Sequence, residues 1–165
     1  MAYEFFISIE GTKQGKFRTP TGGGASADGP RAAKILGIRF FAETTSPRDV
    51  ATGQASGKRQ HKPITITKQW DASSPQLFQA LVTNEVLKSV LLEFVKTNLQ
   101  GEEFVYHTIK LTNATVSNIK SYLDLTDASG DPYDAHELED VSLTFQKIEI
   151  ENREGKTTAV DDWHA

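Results

Sequence analysis

Ile64-Thr65-Ile66-Thr67-Lys68-Gln69-Trp70-Asp71-Ala72-Ser73-Ser74-Pro75-Gln76-Leu77-Phe78-Gln79-Ala80-Leu81 is a stretch in which the hydrophobic period changes along the chain. Ile64, Ile66 and Trp70 alternate with Thr65, Thr67 and Gln69, the two-residue period of a strand with one buried face. Leu77, Phe78 and Leu81 then follow at helical spacing. Ser73 with Gln76 three residues on makes a capping box, and Pro75 sits in the first turn, where its missing N–H is tolerated. Asn84 is the natural stop. This spacing predicts a short helix between Ser73 and Asn84 that turns Leu77, Phe78 and Leu81 toward the core.

Outward from this stretch, strand signals dominate. Phe5, Ile7 and Ile9 alternate with Phe6, Ser8 and Glu10. Lys34 to Thr45 reads as a strand with Gly37 as a possible bulge. Val86 to Val95 fits a helix and a strand equally by period. Phe104–Asn113 and Ala114–Leu123 are β-rich, with a turn expected around Asn113. Val141, Leu143 and Phe145 share one parity and Ile148 and Ile150 the other, which predicts a bulge or bend near Gln146. Asp127 to Pro132 is a turn cluster. Six to nine short strands with one helix point to a single all-β, mainly β, barrel or sandwich. No internal repeat or linker divides residues 1–165, so one domain is expected.

The 165 residues weigh 18.2 kDa, with no cysteine and a formal net charge of −4. Disulfide scaffolds, thiolate zinc sites and cysteine nucleophiles are thereby excluded. The acidic balance disfavours wholesale nucleic-acid binding. The N-terminal residues lack the basic start and apolar run of a signal peptide. Val86 to Val95, the longest apolar-rich stretch, carries Lys88 and Glu93 and is too short to span a bilayer. A protein that starts in the cytoplasm, inserts in no membrane and leaves only by a route that reads the folded chain is expected. Asn113-Ala114-Thr115 matches a glycosylation acceptor, which has no consequence without a secretory signal.

The motifs that suggest chemistry fail in detail. In Gly22-Gly23-Gly24-Ala25-Ser26-Ala27-Asp28-Gly29-Pro30, Pro30 and Arg31 follow Gly29 where a phosphate loop needs Lys and then Ser or Thr. Ala27 stands where a dinucleotide loop needs its third glycine. Asp127 to Asp131 starts like a calcium loop, but its glycine comes early and Leu138 occupies the position of the bidentate Glu. His61, His107, His136 and His164 are scattered, with no i, i+4 pair. In extended chain, Glu102-Glu103 and Asp161-Asp162 point to opposite faces. No nucleophile–base arrangement is supported. The chain is read as no enzyme, with no metal and no cofactor.

What remains is polarity and reach. Ser46 to Gly57, with Pro47, Arg48 and Asp49 near its start, is too polar for core and too long for a simple turn. It reads as a protruding loop, and a loop of that length usually has a task. Lys58, Arg59 and Lys62, the densest basic cluster, flank it. From Asp127 to Ala165 eleven acids face three bases, so that segment nets −8 while the rest nets +4. Such asymmetry suits either a solvated acidic end or docking of unlike patches on copies of the same chain.

Gly57-Lys58-Arg59-Gln60-His61-Lys62-Pro63-Ile64 leads into the stretch quoted first. With Tyr106-His107-Thr108-Ile109-Lys110-Leu111-Thr112-Asn113-Ala114 and Leu138-Glu139-Asp140-Val141-Ser142-Leu143-Thr144-Phe145-Gln146-Lys147-Ile148, it resembles the haemolysin-coregulated protein (Hcp) family, the tube subunits of bacterial type VI secretion systems. The similarity runs from the first strand to Asp162-Trp163. It implies a β-barrel of two packed sheets with one short flanking α-helix over Ser74–Val82, and it makes Val86–Val95 a strand. It implies homo-hexameric rings stacked into a hollow tube, a VgrG-type spike, contractile sheath and baseplate proteins as partners, and small secreted effectors in the lumen. It also implies secretion without a signal peptide. A free-ring effector chaperone and a phage-type tail-tube protein are the alternatives. Under the tube reading, Pro47, Arg48, Asp49, Lys58, Arg59, Gln60, His61 and Lys62 are expected to meet acids such as Asp131, Asp134 or Glu137 of a neighbouring ring.

Overall fold

A computed structural model describes residues 3–18, 34–123 and 137–163. The strands among them are β1 (Glu4–Gly11), β2 (Gly15–Lys16), β3 (Ile35–Phe41), β4 (Thr44–Thr45), β5 (Gln60–His61), β6 (Ile64–Gln69), β7 (Leu87–Thr97), β8 (Glu103–Leu123), β9 (Glu137–Thr144), β10 (Lys147–Asn152) and β11 (Thr157–Asp162). One helix, α1 (Ser74–Thr83), joins β6 to β7. All principal pairings are antiparallel. The order β8-β7-β1-β3-β6-β9 closes on itself because β9 also pairs β8, which makes a six-stranded barrel in one continuous sheet. Closure removes the unpaired edges that an open sheet would expose.

The spine of this barrel is β8, with 21 residues. Its first half pairs β7 and β10, and its second half, from Thr115, pairs β9. Asn113 marks the change of partner, with φ 51°. The turn expected there is therefore a corner within one strand. Asn113 tolerates the left-handed region because its side chain is short and polar; here it donates from Nδ2 to Gln146 Oε1 at 2.9 Å. The parity switch near Gln146 is a break: β9 ends at Thr144, and β10 starts at Lys147 on the other half of β8. The hairpin β10–β11 thus extends the sheet beyond the barrel.

The segment expected at Val86–Val95 is a strand, β7, paired with β1 from Val95 opposite Glu4 to Ser89 opposite Glu10, with a register shift before Leu87 meets Gly11. The bulge expected near Gly37 is present as a register shift between Gly37 and Arg39. Gly37 has a second reason to be glycine: a Cβ there would lie 2.1 Å from the Phe5 ring. Phe5 stacks on Phe94 at 5.4 Å between centroids and meets Phe40 edge-on at 6.3 Å. Ile7, Ile64, Val90, Leu92, Leu111 and Leu143 fill the centre, each at most 2 % exposed.

The helix corrects two expectations. Leu77 and Ala80 are buried in the core, and Leu81 packs against it partly buried, but Phe78 is 58 % exposed. At 100° per residue, Phe78 lies a quarter-turn from Leu77 and leaves the buried stripe. The capping box does not form, since Ser73 makes no side-chain bond to the helix end. Its hydroxyl and backbone N–H both bond Asp71 Oδ1 instead. Gln76 Oε1 accepts from the Arg18 backbone N–H at 2.7 Å. Asn84 does end the helix, in the left-handed region at φ 53°.

Beneath the helix start, Lys68 shares parity with Ile64 and Ile66 and points inward, 1 % exposed. Its Nζ lies 2.9 Å from Asp71 Oδ1 and 2.5 Å from Glu139 Oε1, and it donates to Ser74 Oγ and Gln69 O. Ser74 Oγ donates in turn to Glu139 Oε1 at 2.7 Å. A buried charge persists only when paired and hydrogen-bonded; this knot ties β6, β9 and the first residue of α1 together.

Candidate functional site: the arm and its root

The segment expected as a loop is an ordered hairpin arm. Its ladder starts at Lys62 N–H to Glu43 O (3.0 Å) and continues through the pairs Thr44–His61 and Thr45–Gln60. Pro47 O accepts from Ser56 N–H, Arg48 bridges Ala55, and Asp49 N–H donates to Gln54 O. At the tip Asp49 Oδ1 accepts from the Ala51 N–H, and Gly53 takes φ 72°, which favours glycine. Pro47 lacks an N–H and contributes only its carbonyl to the ladder. Every residue from Arg48 to Gln60 is exposed, and Val50 at the tip is fully so.

The root is where the arm meets the barrel's extension. Asp161 of β11 accepts through Oδ2 from Arg59 Nε at 2.5 Å and lies 2.6 Å from His61 Nε2. The other imidazole nitrogen, Nδ1, is 3.0 Å from Thr44 Oγ1. Arg59 also reaches the Asp162 carbonyl at 3.1 Å. His61 sits edge-on to Phe145 and Trp163, with centroids 5.2 and 5.1 Å away, and the Arg59 guanidinium lies 5.8 Å from the Trp163 ring centre. The Arg59 hydrogen bond, then that of His61, holds the Asp161 carboxyl at about 2, below its ordinary 3.8. The same bond raises the pKa of Arg59.

The basic cluster is thus largely engaged within the chain: Arg59 with Asp161, and Lys62 with Glu43 at 3.0 Å. Arg48 and Lys58 are exposed on the arm. Of the acids expected to receive a neighbour's arm, Asp131 and Asp134 lie outside the described residues. Glu137 is exposed at the start of β9. It lies beyond the Gln69 end of β6, while the arm root adjoins the Ile64 end. Five residue steps along β6, at 3.2–3.4 Å each, separate those ends by roughly 17 Å. Arm and Glu137 therefore occupy opposite ends of the wall.

Two features escaped the sequence reading. The first is Asp161: in sequence it is one of two adjacent acids, and the alternation that parts it from Asp162 lets it meet the arm. The second is the set Phe78, Val82 and Val86, three outward apolar side chains that are 58, 55 and 38 % exposed. Spacing of four residues puts Phe78 and Val82 on one outer face of α1, while Val86 lies beyond the left-handed cap at Asn84. Val86 also borders an open groove of about 680 Å³ lined by Asn113, Thr144, Phe145, Gln146 and Trp163. Among the described residues no cluster of three or more His, Asp or Glu side chains is placed to hold a metal ion, and no helix is long and apolar enough to cross a membrane.

Residues 6–151 match the family model described as "Type VI secretion system effector, Hcp". The chain is 34 % identical over 170 residues to the "Major exported protein" of Pseudomonas aeruginosa, covering 100 % of this chain and 98 % of that one. Among solved structures it is similar to a crystal structure of an Hcp protein, with TM-score 0.86, 30 % identity and 98 % of each chain covered. It is also similar to the secreted protein Hcp3 from Pseudomonas aeruginosa, with TM-score 0.75, 28 % identity, and 99 % of this chain and 100 % of that one covered. A family match over most of the chain, carried on a closed barrel of the same shape, leads to one conclusion: this chain belongs to the Hcp family of type VI secretion proteins.

Proposed function

We propose that the chain is a structural, non-enzymatic subunit of the secretion tube, one Hcp-like domain over residues 1–165. Copies form hexameric rings that stack into a hollow conduit. Rings assemble in the cytoplasm and are ejected with a VgrG-type spike by the sheath and baseplate machinery, with small effectors sheltered in the lumen. The observation that carries this reading is the placement of an exposed arm at one end of the wall and Glu137 at the other. A contact between unlike patches on copies of one chain is heterologous, and it propagates as an open stack unless rotation closes it. Arg48 and Lys58 on the arm supply charge that acids at the far end of the next ring complement. Each exposed pair contributes only about 0–1 kcal/mol, but a ring presents several copies together.

Within a ring, Phe78 and Val82 on the outer face of α1 supply an apolar surface that a neighbouring copy would cover. The test joins light scattering and electron microscopy. Purified protein should run at about six times 18.2 kDa and show rings. Replacing Asp49–Gln54 by Asn-Gly, which closes the Arg48–Ala55 rung with a two-residue turn, should leave rings whole and abolish tubes and secretion. A monomer at micromolar concentration, or an armless variant that still builds a working tube, overturns the reading.

A further inference from the structure

The arm has no anchor of its own beyond its root. Its tip and both flanks are exposed, so its direction is set where Arg59 and His61 meet the C-terminal strand. The acceptor is one carboxylate oxygen, Asp161 Oδ2, which serves both arm residues. No cation from the neighbouring strand competes for it: the residue of β10 opposite Asp161 is Ile148, while Lys147 lies opposite Asp162. On the arm side, Lys62 is engaged by Glu43. Among the described residues, the charged or titratable side chains bonded to Asp161 are Arg59 and His61, both from the arm root.

The imidazole adds a bridge that tolerates either charge state. With a proton on Nε2 it donates to Asp161, and its Nδ1 faces Thr44 Oγ1, a hydroxyl that both donates and accepts. A neutral ring accepts a hydrogen bond from the Thr44 hydroxyl, and a charged ring donates one to it. Phe145 and Trp163 both pack edge-on against the ring and restrict its movement.

The strand that carries the acceptor is held from one side. It is an edge strand paired only to β10, and Thr157 to Val160 are exposed. Local opening starts in such elements, which have few buried apolar contacts. If β11 peels from β10, Asp161 and the Asp162 carbonyl leave together, and the arm loses both partners of Arg59.

We infer that Asp161 is the positioning residue of the arm, so that the C-terminal strand acts as a latch whose docking sets the arm's aim and whose release frees it. This rests on the arm having the assembly role proposed above, and it names how that role is controlled.

The experiment compares the full chain with Asp161→Asn, Asp161→Glu and the double variant Arg59→Gln/His61→Gln. Hydrogen exchange is followed over residues 44–61 and over β1 and β7, together with tryptic cleavage after the exposed Arg48 and Lys58. Asp161→Asn should raise exchange across 44–61 at least tenfold and speed cleavage about fivefold, with β1 and β7 unchanged. Asp161→Glu, which keeps the carboxylate, should restore part of the protection. The double variant should loosen the arm as Asp161→Asn does, and it covers the case in which that variant folds poorly. Unchanged arm exchange in Asp161→Asn and in the double variant overturns the latch. Tube formation is scored separately: a loosened arm with tubes still forming upholds the latch and overturns the stacking role, so the two failures are distinguishable.

Discussion

Lys68 and Glu139 stand directly opposite each other on β6 and β9, both buried, with Nζ and Oε1 2.5 Å apart. Removing one partner of a buried pair strands the other charge and costs about 3–5 kcal/mol. Lys68→Met leaves Glu139 and Asp71 facing each other under the helix. We expect that loss in urea unfolding. In thermal melts it corresponds to a drop on the order of 10 °C, at about 2–4 °C per kcal/mol for a chain of this size. Replacing Lys68, Asp71 and Glu139 together by apolar residues should recover part of it.

Leu77 and Phe78 are adjacent in sequence and face opposite surroundings, 1 % and 58 % exposed. Leu77→Ala should cost about 2–5 kcal/mol. Phe78→Ala should leave monomer stability within about 0.5 kcal/mol, as for ordinary surface positions. Phe78→Asp should instead weaken ring assembly, read by light scattering against dilution. Equal destabilisation by Leu77→Ala and Phe78→Ala would contradict the assigned face.

Gly37 leaves room for the Phe5 ring, which a Cβ would meet at 2.1–2.7 Å. Gly37→Ala forces that ring out of its place against Phe40 and Phe94, and overpacking of this kind costs about 1–3 kcal/mol. Denaturant melts of Gly37→Ala and of Gly37→Ala/Phe5→Leu check the cause, because the smaller side chain should relieve part of the penalty.

Asp161 titrates at about 2 in the folded chain against 3.8 ordinarily. The folded value is depressed, so the stabilisation it gives the arm root is complete above pH 3.8 and lost as pH falls toward about 2. Tryptophan fluorescence of Trp163, which packs on His61, should therefore change between those values in the wild type. In Asp161→Asn that transition should be absent.

Alternation and turn chemistry made most of the architecture legible from residues alone. The strands at Phe5–Ile9, Ile64–Gln69 and Val141–Leu143 follow from period two, which a neighbour in space does not alter. The helix and its stop at Asn84 follow from a local change of period and a residue that accepts positive φ. The bend near Gln146 was visible as a parity switch. Val86–Val95 was not decidable by period, because Val90, Leu91 and Phe94 satisfy a helical stripe while Val90, Leu92 and Phe94 satisfy a strand; its pairing with β1 and β8 decided it. Asn113 looked like a turn because local signals do not report that β8 continues through a corner.

The candidate site divides in the same way. Polarity and length announced Ser46–Gly57 as a projecting element, and composition announced its basic base; both are properties of the chain itself. That Arg59 and His61 converge on Asp161, about a hundred residues later, was decided only by the tertiary structure. So was the exposure of Phe78, and so was the burial of Lys68. Hydrophobic period specifies which side of an element faces inward. Partners of polar groups, and the limits of a buried face, are specified by what the rest of the chain brings against it.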